Sequence, residues 1–194
     1  SGSSQLIDAI MIRAADRHAP QVAVPLTGNY DDDDENAIEG GYVHEISPGV
    51  YHWVCVLDFK SMYPSLIIAK NICFTTRDDK GEIVSPLGVH FLSKEQQPGI
   101  LPSILADLMR RRDETKALAK KARDPEEAHY YDGLQGGIKI LMNSFYGVFA
   151  SSFYRFTDRS IGGSITAFAR ETTKGIIKAL TDEGVNVIYS DTDS

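Results

Sequence analysis

Two carboxylates stand one residue apart in Asp191-Thr192-Asp193, directly behind the apolar run Val185-Asn186-Val187-Ile188. A third, Asp58, comes at the end of another β-rich run, Val50 to Phe59, and leads into Lys60-Ser61-Met62-Tyr63-Pro64. Taken singly, each is an ordinary surface feature: most D-x-D pairs are exposed turns, and a strand-end Asp is commonly a cap or turn residue. Adjacent strands could bring all three acids to one place, and such crowding is unfavourable unless cations neutralise it. Hard oxygen ligands of this kind suit Mg²⁺. Two metal ions about 3.5–4 Å apart are the known solution for in-line displacement at phosphorus. One ion activates a hydroxyl nucleophile and the other stabilises the leaving oxygen.

Cations at helical spacing supply the complementary half of such a site. Arg112, Lys116 and Lys120 lie four residues apart, so they share a helix face. Gln135, Lys139, Asn143 and Tyr146 also fall on one face of a following helix. Two antiparallel helices with these faces towards one cleft could hold a triphosphate, Arg as a planar fork and Lys as a point charge. The plain reading is two solvated amphipathic helices, and it is kept for Arg110, Arg111, Lys121 and Arg123. Gly133, Gly136 and Gly137 are costly inside a helix, at about 1 kcal/mol each relative to Ala. Either the helix begins after them or something packs closely there.

These groups need a scaffold, and the chain is large enough to build one. It has 194 residues, 42% of them hydrophobic, and a net charge of −7. That balance excludes a basic nucleic-acid coat but leaves room for a locally cationic cleft. Two cysteines make neither a disulfide framework nor a zinc quartet. Cys55, in an apolar run, is expected to be a buried thiol. No signal peptide or membrane-spanning run is seen, so an intracellular, cytoplasmic protein is expected.

The periodicity predicts a helix over 5–18, a loop over 19–41, and strands at Tyr42–Ile46 and Val50–Phe59 separated by Ser47-Pro48-Gly49. The acidic run Asp31-Asp32-Asp33-Asp34-Glu35 reads as a solvated loop. A short helix is expected after Pro64, and an irregular hairpin over 77–90 with Asp79-Lys80-Gly81 as its turn. Helices are predicted over 103–122 and 126–147, with a corner at Arg123-Asp124-Pro125, and over 160–180 with Ile165, Phe168, Ile176 and Leu180 on one side. A strand over Val185–Tyr189 completes an α+β arrangement. Asp58 closes a central strand in this scheme.

Three segments, in this order, resemble motifs A, B and C of family B DNA polymerases, with the archaeal branch the nearest likeness. The patterns are D-x-x-S-L-Y-P-S, K-x-x-x-N-S-x-Y-G and Y-G-D-T-D-S. The chain has Asp58-Phe59-Lys60-Ser61-Met62-Tyr63-Pro64-Ser65, Lys139-Ile140-Leu141-Met142-Asn143-Ser144-Phe145-Tyr146-Gly147 and Tyr189-Ser190-Asp191-Thr192-Asp193-Ser194. Only Met for Leu and Ser for Gly depart from them. The resemblance implies Asp58 and Asp193 as principal ligands of two Mg²⁺ ions, with Asp191 the third acid. It implies that the backbone around Ser61 and Met62 cradles the triphosphate, and that Tyr63 is the steric gate against a 2′-hydroxyl. Arg112, Lys116 and Lys139 become the cations that hold the triphosphate, with Asn143 beside them and Tyr146 against the nascent base pair. The family's Y-x-G-G motif falls on Ile38-Glu39-Gly40-Gly41. Ile38 replaces its tyrosine, which puts the usual template-strand contact in doubt. Ser164-Ile165-Thr166-Ala167-Phe168-Ala169-Arg170 resembles the helix before motif C, with Ala169 at a usual Gly.

The fold so implied is a partial palm with an antiparallel sheet and packed helices, plus a helical-hairpin fingers subdomain. The parts are an N-terminal helix and linker over 1–41, the first palm part over 42–102, the fingers over 103–147 and the second palm part over 148–194. Complete exonuclease and thumb domains are not expected within the chain. The implied activity is transfer of a nucleotide from dNTP to a primer 3′-hydroxyl, weak or absent in these residues alone. The implied partners are primer–template DNA, dNTPs and, through other regions, a sliding clamp. Two alternatives stand beside it. An inactive DNA-binding scaffold would be marked by lost acids, and all three are present. An unrelated two-metal nuclease would need neither Tyr63 nor the Lys139–Gly147 pattern.

Overall fold

A computed structural model describes residues 2–18, 38–151, 155–156 and 158–192. The acidic run at 31–35 and Asp193 lie outside the described residues. Helices dominate: α1 (Gly2–His18), α2 (Met62–Ala69), α3 (Ile100–Lys121), α4 (Pro125–Ser144), α5 (Gly147–Ala150) and α6 (Arg159–Asp182). The strands are short and antiparallel. β1 (Val43–His44) pairs with β4 (Ser190–Asp191), and β2 (Ile83–Val84) pairs with β3 (His90–Phe91).

The helices form where the apolar spacing put them, and local caps set their ends. At the corner between α3 and α4, the Asp124 carboxylate accepts from the Glu127 backbone N–H at 2.8 Å, and Glu127 accepts in return from the Arg123 N–H at 2.9 Å. These reciprocal bonds resemble a capping box, and Pro125 at the first helical position needs no N–H partner there. Pro64 is likewise accommodated inside the first turn of α2, so that helix starts at Met62, ahead of the proline rather than after it.

Asp158 starts α6. Its Oδ1 accepts from the Ser160 and Ile161 backbone N–H groups at 3.0 and 3.3 Å, while Arg77 donates to Oδ2 at 2.6 Å. Asp158→Ala should therefore lower stability by about 1–2 kcal/mol, the usual range for a lost N-cap. Urea unfolding would measure it, and an unchanged midpoint would refute the cap.

One buried cluster joins these elements. It takes Ile7 and Met11 from α1, Leu66 and Ile67 from α2, Leu101 and Leu105 from α3, Ile161 and Ile165 from α6, and Phe145 and Phe149 around α5. Ile165 and Phe168 are buried on α6 as expected, whereas Ile176 is exposed. Gly133, Gly136 and Gly137 lie inside α4, and a Cβ at any of them would meet open space. Neither a late helix start nor close packing among the described residues accounts for them.

The sheet departs most from expectation. Val50–Phe59 is not a strand: Val50 is 90% exposed, Trp53 is fully exposed with φ 61°, and Val54, Val56 and Leu57 are also exposed. Cys55 is exposed rather than buried. A β-rich run becomes a strand only when a neighbour takes up its backbone N–H and C=O groups. Among the described residues, no segment pairs with this one. Of the expected strand Tyr42–Ile46 only Val43–His44 is a strand, and β4 lies on Ser190–Asp191, just past the expected strand Val185–Tyr189, whose Val185 N–H still bonds Leu180 O at the end of α6 at 2.9 Å. Thr192 N–H donates to Tyr42 O at 3.0 Å, and Ser47 N–H to Ile188 O at 3.2 Å. Two residues lie between His44 and Ser47, against one between Ile188 and Ser190, so the pairing carries a bulge. In the second ribbon the reversal lies at 85–88, where Gly88 has φ 80° and donates to Ser85 O at 2.8 Å. Asp79-Lys80-Gly81 is a separate bend before it, closed by Gly81 N–H on Asp78 O at 2.8 Å.

Candidate functional site

A cleft of about 540 Å³ opens where the segment before α2 meets α3, α4 and the turn after β4. It gathers residues that are far apart in the chain. Asp58, Ser61, Met62 and Tyr63 come from one side, Arg112 and Lys116 from α3, Lys139, Asn143 and Tyr146 from α4 and its end, and Thr192 from the last turn. Nine of the residues singled out by spacing and motif thus share one space. Asp191 is exposed next to it without lining the cleft, and Asp193 lies outside the described residues. Among the described residues, no three acidic, His or Cys side chains cluster.

The α2 end of the cleft suits an anion. Ser61 takes the left-handed conformation (φ 49°, ψ 64°), unusual for a residue with a side chain. This bend turns the chain sharply between Asp58 and α2. The helix starts with no side-chain cap and no acid in its first turn, so its backbone N–H end remains suited to a negative ligand. Ser65 fastens the bend by donating its hydroxyl to Lys60 O at 2.8 Å.

Arg112 is the best-held cation. It is 8% exposed, and its side-chain hydrogen bonds among the described residues go to neutral groups. Its Nε donates to Gln135 Oε1 at 3.2 Å, and Nη1 lies 3.4 Å from Ser61 Oγ. Gln135 is in turn steadied by its bond to Asp132 Oδ1 at 2.9 Å. A half-sequestered guanidinium held by neutral groups keeps its charge for a ligand. By contrast, Arg110 and Arg111 are occupied by Asp107 and Glu114 on the same helix, which is the solvated reading made for them.

Spacing did not point to Lys60. Its ammonium bonds both oxygens of Asp113 at 2.8 and 2.7 Å, joining the bend to α3. That hydrogen bond, ahead of the neighbouring charges, holds the Asp113 carboxyl below its ordinary value. Both side chains are about half exposed, so the pair adds little stability. Its signal was present in the sequence only as an unassigned lysine inside the Asp58–Ser65 run.

The two tyrosines of the cleft touch. The rings of Tyr63 and Tyr146 have centroids 4.7 Å apart and are tilted by 35°. Burial raises the Tyr146 phenol above its ordinary value, Tyr63 raises it further and Arg170 opposes them. Tyr146 is therefore neutral at physiological pH and acts as a flat, half-buried wall that fixes the Tyr63 ring.

The chain matches the family model for DNA polymerase family B over residues 1–194. It is a member of DNA polymerase family B. It is 33% identical to DNA polymerase 1 of Pyrococcus abyssi over 197 aligned residues, covering 100% of this chain and 25% of that protein. It is 35% identical to the DNA polymerase delta catalytic subunit of Schizosaccharomyces pombe, covering 80% of this chain and 16% of that one. Among solved structures, it resembles the family B DNA polymerase of the hyperthermophilic archaeon Pyrobaculum calidifontis. There the TM-score is 0.75 at 28% identity, covering 100% of this chain and 26% of that one. The family B segment thus spans about a quarter of the length of such relatives. Its mixed, helix-rich architecture with small antiparallel pairings is that of the matching part of a family B polymerase. Among the described residues, no helix is long and apolar enough to cross a membrane.

Proposed function

We propose that the cleft is the nucleotide-binding and nucleotidyl-transfer site of a template-directed DNA polymerase. The observation that carries this reading is the convergence of Asp58, Tyr63, Arg112, Lys116, Lys139, Asn143 and Tyr146 on one space. Four cations, Lys60, Arg112, Lys116 and Lys139, line it in a chain whose net charge is −7. Such local reversal of charge fits a triphosphate. In this reading residues 103–147 are the fingers, and residues 42–102 and 148–194 belong to the palm. The partners are a dNTP and primer–template DNA.

Arg112, Lys116 and Lys139 hold the triphosphate and offset the charge that grows on the departing pyrophosphate. The bend at Ser61 and Met62 offers backbone N–H groups to the same phosphates. Asn143 adds a neutral polar contact, and Tyr63, backed by Tyr146, lies against the sugar. The donor set also fits Mg²⁺. Asp58 is an exposed hard-oxygen donor on the cleft, and the exposed Asp191 carboxylate accepts, among the described residues, from the Tyr189 and Thr192 hydroxyls at 3.3 and 3.1 Å. Asp58, Asp191 and Asp193 would hold two such ions. When bound, these ions would supply activation of the primer 3′-hydroxyl and charge stabilisation at the α-phosphate.

Arg112→Lys tests the phosphate assignment. Lysine keeps the charge but loses the fork that reaches Gln135 and Ser61. The dNTP KM should rise about tenfold, the value of one charge-assisted hydrogen bond, with a smaller change in kcat. Single-nucleotide primer extension by the polymerase that carries this segment would measure both. An unchanged KM would remove Arg112 from the site.

A further inference from the structure

We infer that Ile38-Glu39-Gly40-Gly41 is a seat that positions the acidic turn around Asp191 and Thr192, with Gly41 and Arg170 as its positioning residues. The inference rests on the proposed metal role of that turn. Four observations place the seat. Ile38 packs on α6, where a Cβ at Gly162 would come 3.0 Å from Ile38 Cδ1. Arg170, also on α6 and only 14% exposed, donates Nη1 to the carbonyl oxygens of Glu39 and Gly40, both at 2.8 Å. Its Nη2 meets the Glu39 carboxylate at 3.3 Å. Gly41 then lies directly against Thr192: a Cβ there would stand 2.8 Å from both Thr192 Cγ2 and Thr192 Oγ1.

The turn is held from its other sides by the same elements. Thr192 N–H donates to Tyr42 O at 3.0 Å, and the Thr173 hydroxyl of α6 donates to Thr192 O at 3.3 Å. Thr192 itself has φ 51°, a conformation a β-branched residue keeps only when its surroundings impose it. Its hydroxyl donates to Asp191 Oδ1 at 3.1 Å, so a displaced Thr192 moves the acid with it. Gly41 is needed here because the Thr192 side chain occupies the space that a side chain at 41 would fill, whereas a Cβ at Gly40 would meet open space. The replacement of the motif's tyrosine by Ile38 leaves this work intact, since an apolar side chain suffices to anchor the segment on α6.

The test uses the 194-residue chain, amide hydrogen exchange and Mn²⁺ broadening of NMR signals. In the unsubstituted chain, Mn²⁺ should broaden the Asp58 and Asp191 amides together. Gly41→Ala should speed exchange at the position-192 amide by about tenfold or more and spare Asp191 from broadening, while Asp58 still responds. Adding Thr192→Ala removes the two atoms that the new methyl would meet at 2.8 Å, leaving only Thr192 Cβ at 3.1 Å, and should restore most of the slow exchange and the Asp191 broadening. Arg170→Lys should act in the same direction as Gly41→Ala but less strongly. Wild-type exchange and broadening in Gly41→Ala, or no recovery in the double variant, would overturn the seat. No broadening at either acid in the unsubstituted chain would instead sink the metal reading, and the seat's purpose with it.

Discussion

Asp58→Ala is expected to reduce primer extension by about 10³-fold or more while primer–template binding changes by no more than a few-fold. The size follows from the role. A carboxylate that holds a catalytic cation commands several kcal/mol of transition-state charge stabilisation, and each 1.36 kcal/mol is tenfold in rate. The selectivity follows from the position. Asp58 lines the cleft beside the Ser61 bend and is exposed, so its loss leaves no cavity and strands no buried partner. Binding of duplex rests mainly on phosphate contacts spread over a wider surface. Primer extension and a gel-shift titration, run side by side at one salt concentration, separate the two effects. Retained synthesis would refute the metal assignment. Equal loss of synthesis and binding would point to a DNA-holding role instead.

Tyr63→Ala should raise ribonucleotide incorporation relative to deoxyribonucleotide by about 10²-fold. A pocket that discriminates by shape against one added hydroxyl reaches roughly that factor, and the tyrosine ring is the shape in question. The structure adds a condition to this expectation. Tyr63 leans on Tyr146 with ring centroids 4.7 Å apart, so in the proposed site the wall against the sugar would be a pair of rings rather than one. Tyr146→Ala should then relax the same preference in part, because Tyr63 loses its support. Tyr63→Phe keeps the ring and should stay near the unsubstituted preference. The measurement is kcat/KM for matched rNTP and dNTP pairs. An unchanged ratio in Tyr63→Ala would remove the gate.

Each part of the cleft was legible in the sequence because it is local in the chain, although only the fold brings the parts together. Asp58 to Tyr63 is one bend, Arg112 and Lys116 are one turn apart on α3, and Lys139, Asn143 and Tyr146 follow the α4 repeat. Local spacing decides what shares a helix face. The starts of α4 and α6, expected at 126 and 160, fall within one residue of that, because the Asp124 and Asp158 caps that set them act within three residues. The Lys60–Asp113 bond was hidden because it joins residues 53 apart, with no periodicity linking them.

The sheet shows the opposite case. Val50–Phe59 has the composition of a buried strand and is exposed, with Cys55 in the open. Tyr42–Ile46 and Val185–Tyr189 look less regular, yet Val43–His44 inside the first and Ser190–Asp191 just past the second form the β1–β4 pairing. Composition gives a segment the capacity to pair, but the hydrogen bonds belong to two segments at once.

The sequence by itself therefore determined the chemical groups of this family B chain: three acids, the cations, two tyrosines and the helices that carry most of them. Only the tertiary structure decided which runs pair, that Lys60 is tied to Asp113, and that Gly41 and Arg170 frame the turn at Thr192. The physical reason is range. Helical faces and caps are set within a few residues, whereas strand pairing and the contact of a glycine with a distant side chain exist only once the chain has closed on itself.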